Sequence, residues 1–298
     1  MSAIGARMAT IGTFDGVHRG HQAVLMELKS MSETLGLEPM VVTFDRHPLE
    51  LIDPERAPRL LMRRRDRSDA LRQIVPYLAE IKFDEAVRRM TAAEFMAMLR
   101  DEHGVKALML GFNHRFGSDG LQRFEQFEAE AKKLGMAVYQ GVEQLSDDGR
   151  LSSTIIRQSL IDGDVESAAK CLTRPYRIMG HVTTGKQLGR QIGFPTANLV
   201  PCEQRQLVPK AGVYACKATC ENGGRYLAMV NIGVRPTVDS SGHTTIEAHL
   251  FDFDGDLYGT TVALDFIDRI RDERSFPSLE ALTAQLHEDA EFTRKLGL

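Results

Sequence analysis

Up to residue 161, short apolar runs alternate with amphipathic stretches, and no other feature of the sequence limits the fold as strongly. Five apolar runs predict strands, over Met8–Ile11, Met40–Phe44, Glu80–Phe83, Lys106–Leu110 and Met136–Tyr139. Helical spacing of apolar residues predicts five helices, over Arg19–Leu35, Asp66–Val75, Thr91–His103, Leu121–Leu134 and Ser152–Ile161. This alternation predicts a doubly wound parallel sheet with helices on both faces. Ligands of such α/β sheets bind beyond the carboxyl ends of the strands.

The pattern changes around Thr173-Arg174-Pro175. Short strands follow, separated by Gly, Pro and Asn clusters, over Tyr176–Val182, Val213–Thr219, Tyr226–Ile232, Thr245–Phe251 and Val262–Phe266. The next long helical pattern is Leu279–Asp289. These features predict a small antiparallel barrel or sandwich closed by a C-terminal helix. We therefore predict two domains, 1–174 and 175–298, which a length of 298 residues allows.

Composition disfavours several classes of function. The 41 acidic and 37 basic residues give a formal net charge of −4, so nucleic acid is not an expected partner. No apolar run is long enough to span a membrane, and the N-terminus does not resemble a secretory signal. Four cysteines, none in a C-x-x-C pair, are typical of thiols in a reducing compartment. We expect a cytoplasmic protein, and the sequence does not determine its oligomeric state.

A glycine-rich loop, Gly12-Thr-Phe-Asp-Gly-Val-His-Arg-Gly-His21, joins the first predicted strand to the first helix. Its glycines permit tight turns and close approach of the backbone. The helix N-terminus presents free N–H groups and a positive dipole end to a phosphate. His18 and His21 are three residues apart and face one side. Two surface histidines in a loop are the alternative, which the strand–glycine–histidine–helix context makes less favoured. A metal site is weaker still, because no acidic or cysteine ligand has matching spacing.

Two later segments also fit nucleotide chemistry. Ser152 or Ser153 can cap a helix, and Arg157 one turn on can make a bidentate contact to phosphate. A plain capping motif with a solvated arginine fits equally well. In Gly185–Asn198, Thr196 and Asn198 lie two apart and share one side of an extended chain. Their oxygens suit Mg²⁺ held together with phosphates, although a glycine-rich turn into a strand is the alternative.

Gly12–His21 resembles the Gly-x-Phe-Asp-Gly-Val-His-x-Gly-His signature of the bacterial bifunctional riboflavin kinase/FAD synthetases. Further stretches resemble the same family in the expected order along nearly the whole chain: Val42–Pro48, Gly111–Gly117, Ser152–Arg157, Gly185–Asn198, Val230–Thr237, Thr245–Gly259 and Arg269–Phe276. Class I tRNA synthetases share the H-x-G-H motif, but they are longer and carry a lysine-rich loop in place of Ser152–Arg157.

The resemblance implies a nucleotidyltransferase domain of doubly wound parallel-sheet type followed by a β-barrel kinase domain. It implies phosphorylation of riboflavin to FMN and adenylylation of FMN to FAD with release of pyrophosphate. The expected ligands are ATP, riboflavin, FMN, FAD and Mg²⁺. A chain with one degenerate domain, or a flavin- or nucleotide-binding regulator without turnover, is the alternative. The presence of His18, His21 and Glu247 favours the two-site enzyme.

The resemblance also assigns roles to individual residues. The catalytic residues are Glu247 as the kinase base, with His18, His21 and Arg157 for adenylylation. Residues for ATP and its phosphates are Gly12, Phe14, Asp15, Gly16, Gly20, Ser153, Thr154, Gly185, Lys186 and Gly189. Residues for the flavin are Asn113, Arg115, Arg271 and Glu273, and the ligands of Mg²⁺ are Thr196 and Asn198.

Three positions leave open questions. His114 stands where the family commonly has Phe, which can alter stacking of the flavin ring. Arg46 stands where it commonly has Pro, and we expect it to affect only a turn. Glu247 faces away from the apolar alternation of its strand, and the sequence does not tell whether that face is lumen or solvent.

Overall fold

The computed structural model describes residues 5–111, 115–141, 145–146, 149–150, 152–184, 189, 192–235 and 243–297. The chain forms two compact units. The first comprises residues 1–58 and 64–152, and the second comprises residues 59–63 and 153–298. Residues 153–174, which precede the predicted domain boundary, therefore group with the second unit.

A five-stranded sheet forms the centre of the first unit. Its strands are β1 (Arg7–Ile11), β2 (Glu38–Phe44), β3 (Tyr77–Ile81), β4 (Val105–Leu110) and β5 (Ala137–Gln140). All neighbouring strands pair in parallel, in the order β3-β2-β1-β4-β5. The order of strands reverses at β1, between β2 and β4, as in doubly wound folds. The predicted fold class of the N-terminal half is confirmed.

The described residues of this unit form six helices: α1 (Arg19–Thr34), α2 (Leu49–Ile52), α3 (Arg64–Ile74), α4 (Glu85–Arg89), α5 (Ala92–His103) and α6 (Phe124–Lys133). Alternate strand residues are buried on opposite faces of the sheet. Ala9 and Ile11 share a core with Phe95 of α5 and Phe127 of α6. Met8, on the other face, is also fully buried, and α1 contacts β1 and β2. A short hairpin follows, formed by β6 (Leu145–Ser146) and β7 (Gly149–Arg150).

A closed antiparallel barrel forms the second unit. Its six strands are β8 (Tyr176–Thr183), β9 (Ala197–Pro201), β10 (Gly212–Cys220), β11 (Arg225–Arg235), β12 (His243–Leu250) and β13 (Thr261–Arg271). The order around the barrel is β10-β11-β12-β9-β8-β13, and every pair is antiparallel. A C-terminal helix, α9 (Leu279–Lys295), contacts β11. Of the two predicted architectures, barrel and sandwich, the structure shows the barrel.

Two helices before the barrel close its apolar interior. They are α7 (Ser153–Asp162) and α8 (Val165–Leu172). Ile156 and Leu160 of α7 join the core cluster that fills the barrel, as do Val165 and Leu172 of α8. Residues 59–63 add to the same unit, because Leu60 pairs with Gln206 in a parallel bridge and Leu61 enters the core. The barrel therefore depends on chain segments that lie before residue 174. Over the described part of the chain, no helix combines the length and hydropathy needed to cross a membrane.

Candidate active sites

The loop between β1 and α1 has an unusual backbone. Phe14 and Val17 adopt left-handed φ values of 49° and 39°, and Gly16 has a φ of 86°. For a non-glycine residue this conformation costs about 1–2 kcal/mol. Gly12 anchors the start of the loop by donating its N–H to the carbonyl of Val42, at 3.0 Å. A side chain at Gly12 would collide with the Phe14 ring, 2.9 Å from the position of its Cβ. The loop therefore has a specific conformation, and the predicted phosphate-binding residues Gly12, Phe14, Asp15 and Gly16 lie in it.

The two histidines of the loop lie on the same side, and their rings are in contact. The His18 and His21 rings stack at 3.6 Å between centroids, and the Phe14 ring meets His21 edge-on at 5.2 Å. His18 is the N-cap of α1, and its Nδ1 accepts the backbone N–H of His21 at 3.3 Å. An Nδ1 that accepts a hydrogen bond places the proton of a neutral imidazole on Nε2. His18 can therefore donate from Nε2 to a phosphate oxygen.

Asp15 lies in the same loop, and Gly20 lies in the first turn of α1. Both are buried, and Asp15 is only 3% exposed. The Asp15 carboxylate is one of the groups that raise the pKa of Arg67, against the larger effect of burial, which lowers it. The loop thus contains a buried negative charge and has a buried positive charge close to it.

A cavity of about 560 Å³ opens beside this loop at the carboxyl ends of β1 and β2. Gly12 and Thr13 form one wall, and aromatic rings form much of the rest: Phe44, Phe83, Phe95 and Phe116. Arg115, predicted to bind the flavin, also lines it. Its volume and apolar walls suit a planar aromatic ligand. Asn113 and His114 lie outside the described residues, and Arg46 lies in the bend after β2, 3.6 Å from Asp45.

Glu247, the predicted kinase base, lies on the barrel strand β12. Ile246, Ala248 and Leu250 of β12 belong to the core inside the barrel, so Glu247 faces outward. The strand register places Glu247 directly opposite Asn198 of β9 on one side and Asn231 of β11 on the other. Residues that are directly opposite in antiparallel strands share a face. Asn198, Glu247 and Asn231 therefore form a continuous polar row across three strands, which we call the polar row.

The segment that leads into β9 is held from several sides. The carbonyl of Gly189 accepts the Phe194 N–H at 2.9 Å, and a Cβ at Gly189 would lie 2.1 Å from the Phe194 oxygen, so only glycine fits there. The Phe194 ring packs edge-on against His249 and His287, each at 5.1 Å. Nδ1 of His249 lies 2.8 Å from the Pro195 carbonyl, and burial lowers the pKa of His249. Gly185 and Lys186 lie outside the described residues.

Thr196 lines a second cavity, of about 360 Å³, at one end of the barrel. Pro195, Phe253, Asp254 and Tyr258 also line it. Within the part of the chain that the structure describes, no three His, Cys, Asp or Glu side chains form a cluster that could hold a metal ion. A cation site at Thr196 and Asn198 stays a prediction from the sequence. Neutral oxygens of this kind suit a cation that takes its other ligands from a nucleotide phosphate, as Mg²⁺ commonly does.

The two predicted flavin residues of the barrel differ in their surroundings. Arg271 makes a bidentate ion pair with Asp289 of α9, at 2.7–3.1 Å, and Asp289 is 1% exposed. Glu273 is exposed, and its Oε1 would lie 2.5 Å from a Cβ at Gly233, a space that glycine leaves free. Asn231 also borders that space. No sequence pattern marks Asn231 or Asp289 for a role in the site, although Asn231 stands inside the Val230–Thr237 stretch that resembles the family.

The remaining predicted phosphate residues belong to the second unit. Ser153 and Thr154 form the first turn of α7. The Nε of Arg157 donates to the carbonyl of Arg59 at 2.7 Å. That contact fixes the stem of Arg157 beside the 59–63 segment. A role of Ser153, Thr154 and Arg157 in binding phosphate stays a prediction from the sequence.

Comparison with known proteins addresses both halves of the chain. The FAD synthetase family model matches residues 2–155, and the riboflavin kinase model matches residues 172–297. The bifunctional riboflavin kinase/FMN adenylyltransferase of Pseudomonas fluorescens is 38% identical over 292 residues, covering 97% of this chain and 93% of the relative. The Escherichia coli K12 protein of the same name is 37% identical over 282 residues, covering 94% and 89%.

The chain belongs to the bifunctional riboflavin kinase/FMN adenylyltransferase family. It is an enzyme with two activities, phosphorylation of riboflavin to FMN and adenylylation of FMN to FAD, and its substrates include ATP. The family predicted from the motifs is confirmed. A solved structure described as a macrolide-efflux protein from Streptococcus pneumoniae is similar over 99% of this chain and 95% of its own, with a TM-score of 0.87 and 32% identity. That similarity supports the fold of the whole chain.

Proposed function

We propose that phosphorylation takes place at the polar row and adenylylation takes place at the loop between β1 and α1. The observation that carries this assignment is the strand register, which puts Glu247 between Asn198 and Asn231 on the outer face of the barrel. A carboxylate flanked by amides can hold a hydroxyl group and accept its proton. Packing alone does not require a carboxylate at that position.

In the kinase reaction, the 5′-hydroxyl oxygen of riboflavin attacks the γ-phosphorus of ATP. The new O–P bond forms as the bond to ADP breaks, and the hydroxyl proton passes to Glu247. Asn231 is positioned to orient the attacking hydroxyl because it lies beside Glu247 in the register. Arg271, held by Asp289, and Glu273 bind the flavin nearby. Positioning and electrostatics account for catalysis without a covalent intermediate.

Thr196 and Asn198 would hold a divalent cation, for which Mg²⁺ is the proposed identity. The two uncharged oxygen donors suit a cation shared with the phosphates of ATP, and such a cation neutralises charge on those phosphates. Gly189 keeps the preceding turn tight, so that Thr196 enters β9 in a fixed place. Gly185 and Lys186 are proposed to complete the contacts to ATP.

In the adenylylation reaction, an oxygen of the FMN phosphate attacks the α-phosphorus of ATP and pyrophosphate leaves. The His18 Nε2–H and the His21 ring stabilise the charge that develops on the phosphates. Backbone groups of Gly12, Phe14, Asp15, Gly16 and Gly20 approach the phosphates closely because the loop is tight and the helix N-terminus is open. The aromatic cavity takes the flavin ring, with Arg115 at its wall. Ser153, Thr154 and Arg157 are proposed as further phosphate contacts.

Two features of the molecule as a whole also remain proposals. Residues 1–174 and 175–298 are proposed as the functional division between adenylyltransferase and kinase. The cytoplasm is proposed as the location, where ATP and riboflavin are both available.

The test of this assignment is a pair of substitutions with opposite effects. Glu247→Gln cannot take a proton, so kinase turnover should fall about a hundred- to ten-thousand-fold while FAD synthesis from supplied FMN is unchanged. His21→Ala should do the reverse. Matched controls are Glu291→Gln on the exposed face of α9 and His103→Ala at the end of α5. If either active-site variant stayed folded and lost both activities equally, the assignment of the two sites would be wrong.

A further inference from the structure

Apart from His18, Arg67 is the only basic side chain that is less than 5% exposed in the described part of the first unit. It lies on α3, where its neighbours Arg64 and Arg65 are partly or fully exposed. Its Nη1 donates to the carbonyl of Thr13 at 3.2 Å, and its Nη2 donates to the carbonyl of Phe44 at 2.5 Å. One guanidinium therefore joins the two chain segments that leave the carboxyl ends of β1 and β2.

The charge of Arg67 is retained in spite of its burial. Burial lowers the pKa of Arg67 and the nearby Arg64 charge lowers it further, whereas the carboxylates of Asp15, Glu80 and Asp45 raise it. An arginine stays protonated in proteins under ordinary conditions. The loop between β1 and α1 therefore has a permanent positive charge close to it. A nucleotide bound at this loop would add several negative charges there.

The contact with Thr13 also contributes to the geometry of the loop, together with the Thr43 hydroxyl, which donates to the same carbonyl at 3.4 Å. Thr13 directly precedes Phe14, whose left-handed φ of 49° needs support from the surrounding structure. In a trans peptide the C=O and the following N–H lie on opposite sides, and the described residues contain no cis peptide bond. Because the Thr13 carbonyl faces Arg67, the Phe14 N–H faces away from Arg67. The Phe14 ring, in turn, packs against His21.

We infer that Arg67 is a positioning residue of adenylyl transfer, which holds the Thr13–Phe14 peptide so that the loop amide and the histidine pair meet the phosphates of ATP. It acts through the loop rather than by touching the substrate. The inference rests on the proposed assignment of adenylylation to this loop. No part of the barrel site depends on it.

The test compares Arg67→Met with Arg65→Met in the full-length protein. Both substitutions remove one positive charge from α3, but the Arg65 side chain is 89% exposed. We expect Arg67→Met to lower kcat for FAD synthesis from FMN about ten- to a hundred-fold, an effect typical of a lost preorganised contact. FMN binding in the aromatic cavity, followed by quenching of flavin fluorescence, should change less than threefold. Riboflavin phosphorylation and the Arg65→Met variant should match wild type.

Arg67→Lys keeps the charge but cannot reach both carbonyls with a planar fork. It should recover part of kcat, and it decides the question if Arg67→Met fails to fold. A folded Arg67→Met or Arg67→Lys variant with wild-type kcat would overturn the inference, and so would a loss confined to FMN binding. If the His21→Ala variant still made FAD at the full rate, the proposed adenylylation site would be wrong. That result is distinct from a failure of the Arg67 inference alone.

Discussion

Leu160 provides the sharpest test of how the second unit is built. It lies on α7, the helix whose first turn carries Ser153 and Thr154, yet its side chain is fully buried in the core of the barrel. Ile161, the next residue, is 51% exposed. Leu160→Ala should destabilise the barrel by about 2–5 kcal/mol, the usual cost of removing a buried leucine side chain. Ile161→Ala should cost little, because its side chain already contacts water.

The assay follows heat inactivation of both activities in the full-length variants. Each kcal/mol is worth roughly 2–4 °C for a unit of this size, so Leu160→Ala should lower the temperature at which kinase activity is lost by at least about 4 °C. The Ile161→Ala control should stay close to wild type. If Leu160→Ala left heat inactivation of the kinase unchanged, α7 would not be part of the barrel core and the reasoning would be refuted.

Two further expectations concern the barrel. Asp289→Asn should leave the Arg271 charge unpaired, which lowers the free energy of unfolding by about 3–5 kcal/mol and raises KM for riboflavin. The control is Glu288→Asn, on the exposed side of α9. An unchanged KM would contradict the placement of Arg271. Burial lowers the pKa of His249 in the folded protein. As the pH falls below about 6.5, the unfolded chain therefore binds a proton before the folded chain does, and the free energy of unfolding decreases. Thermal melts at pH 7.5 and 5.5 should therefore show a smaller loss of stability for His249→Asn than for wild type, and equal losses would refute this role.

Local signals in the sequence predicted the loop between β1 and α1 and the helix after it. The helix α1 begins at Arg19, as predicted, because the His18 side chain caps it by accepting the N–H of His21. The helix α5 begins with a capping box between Thr91 and Glu94, which the predicted start at Thr91 reflects. Such features depend on residues three or four apart, so the sequence alone reveals them.

Short elements were harder to predict. The strand β9 has five residues after a Phe-Pro pair and exists because β8 and β12 pair with it on either side. The helix α8 has eight residues and owes its place to burial against the barrel. Both are stabilised mainly by contacts with distant parts of the chain, which a local pattern does not contain.

The positions of the charged residues could be predicted least. The sequence showed that Glu247 opposes the apolar face of its strand, but only the barrel register shows that this face is outside and that Asn231 adjoins it. Arg67 and Asp289 look like ordinary charged residues of amphipathic helices. Their burial follows from the packing of α3 and α9 on other elements, and nothing in their local sequence marks it.

One chain should carry out two successive reactions of ATP. The experiment supplies riboflavin with ATP and Mg²⁺ and follows the flavins by chromatography with labelled ATP. We expect FMN to rise first and carry the γ-phosphate label, and FAD to follow and carry the α-phosphate label. Label from α-phosphate in FMN, or FMN that accumulates without FAD while ATP remains, would contradict the account.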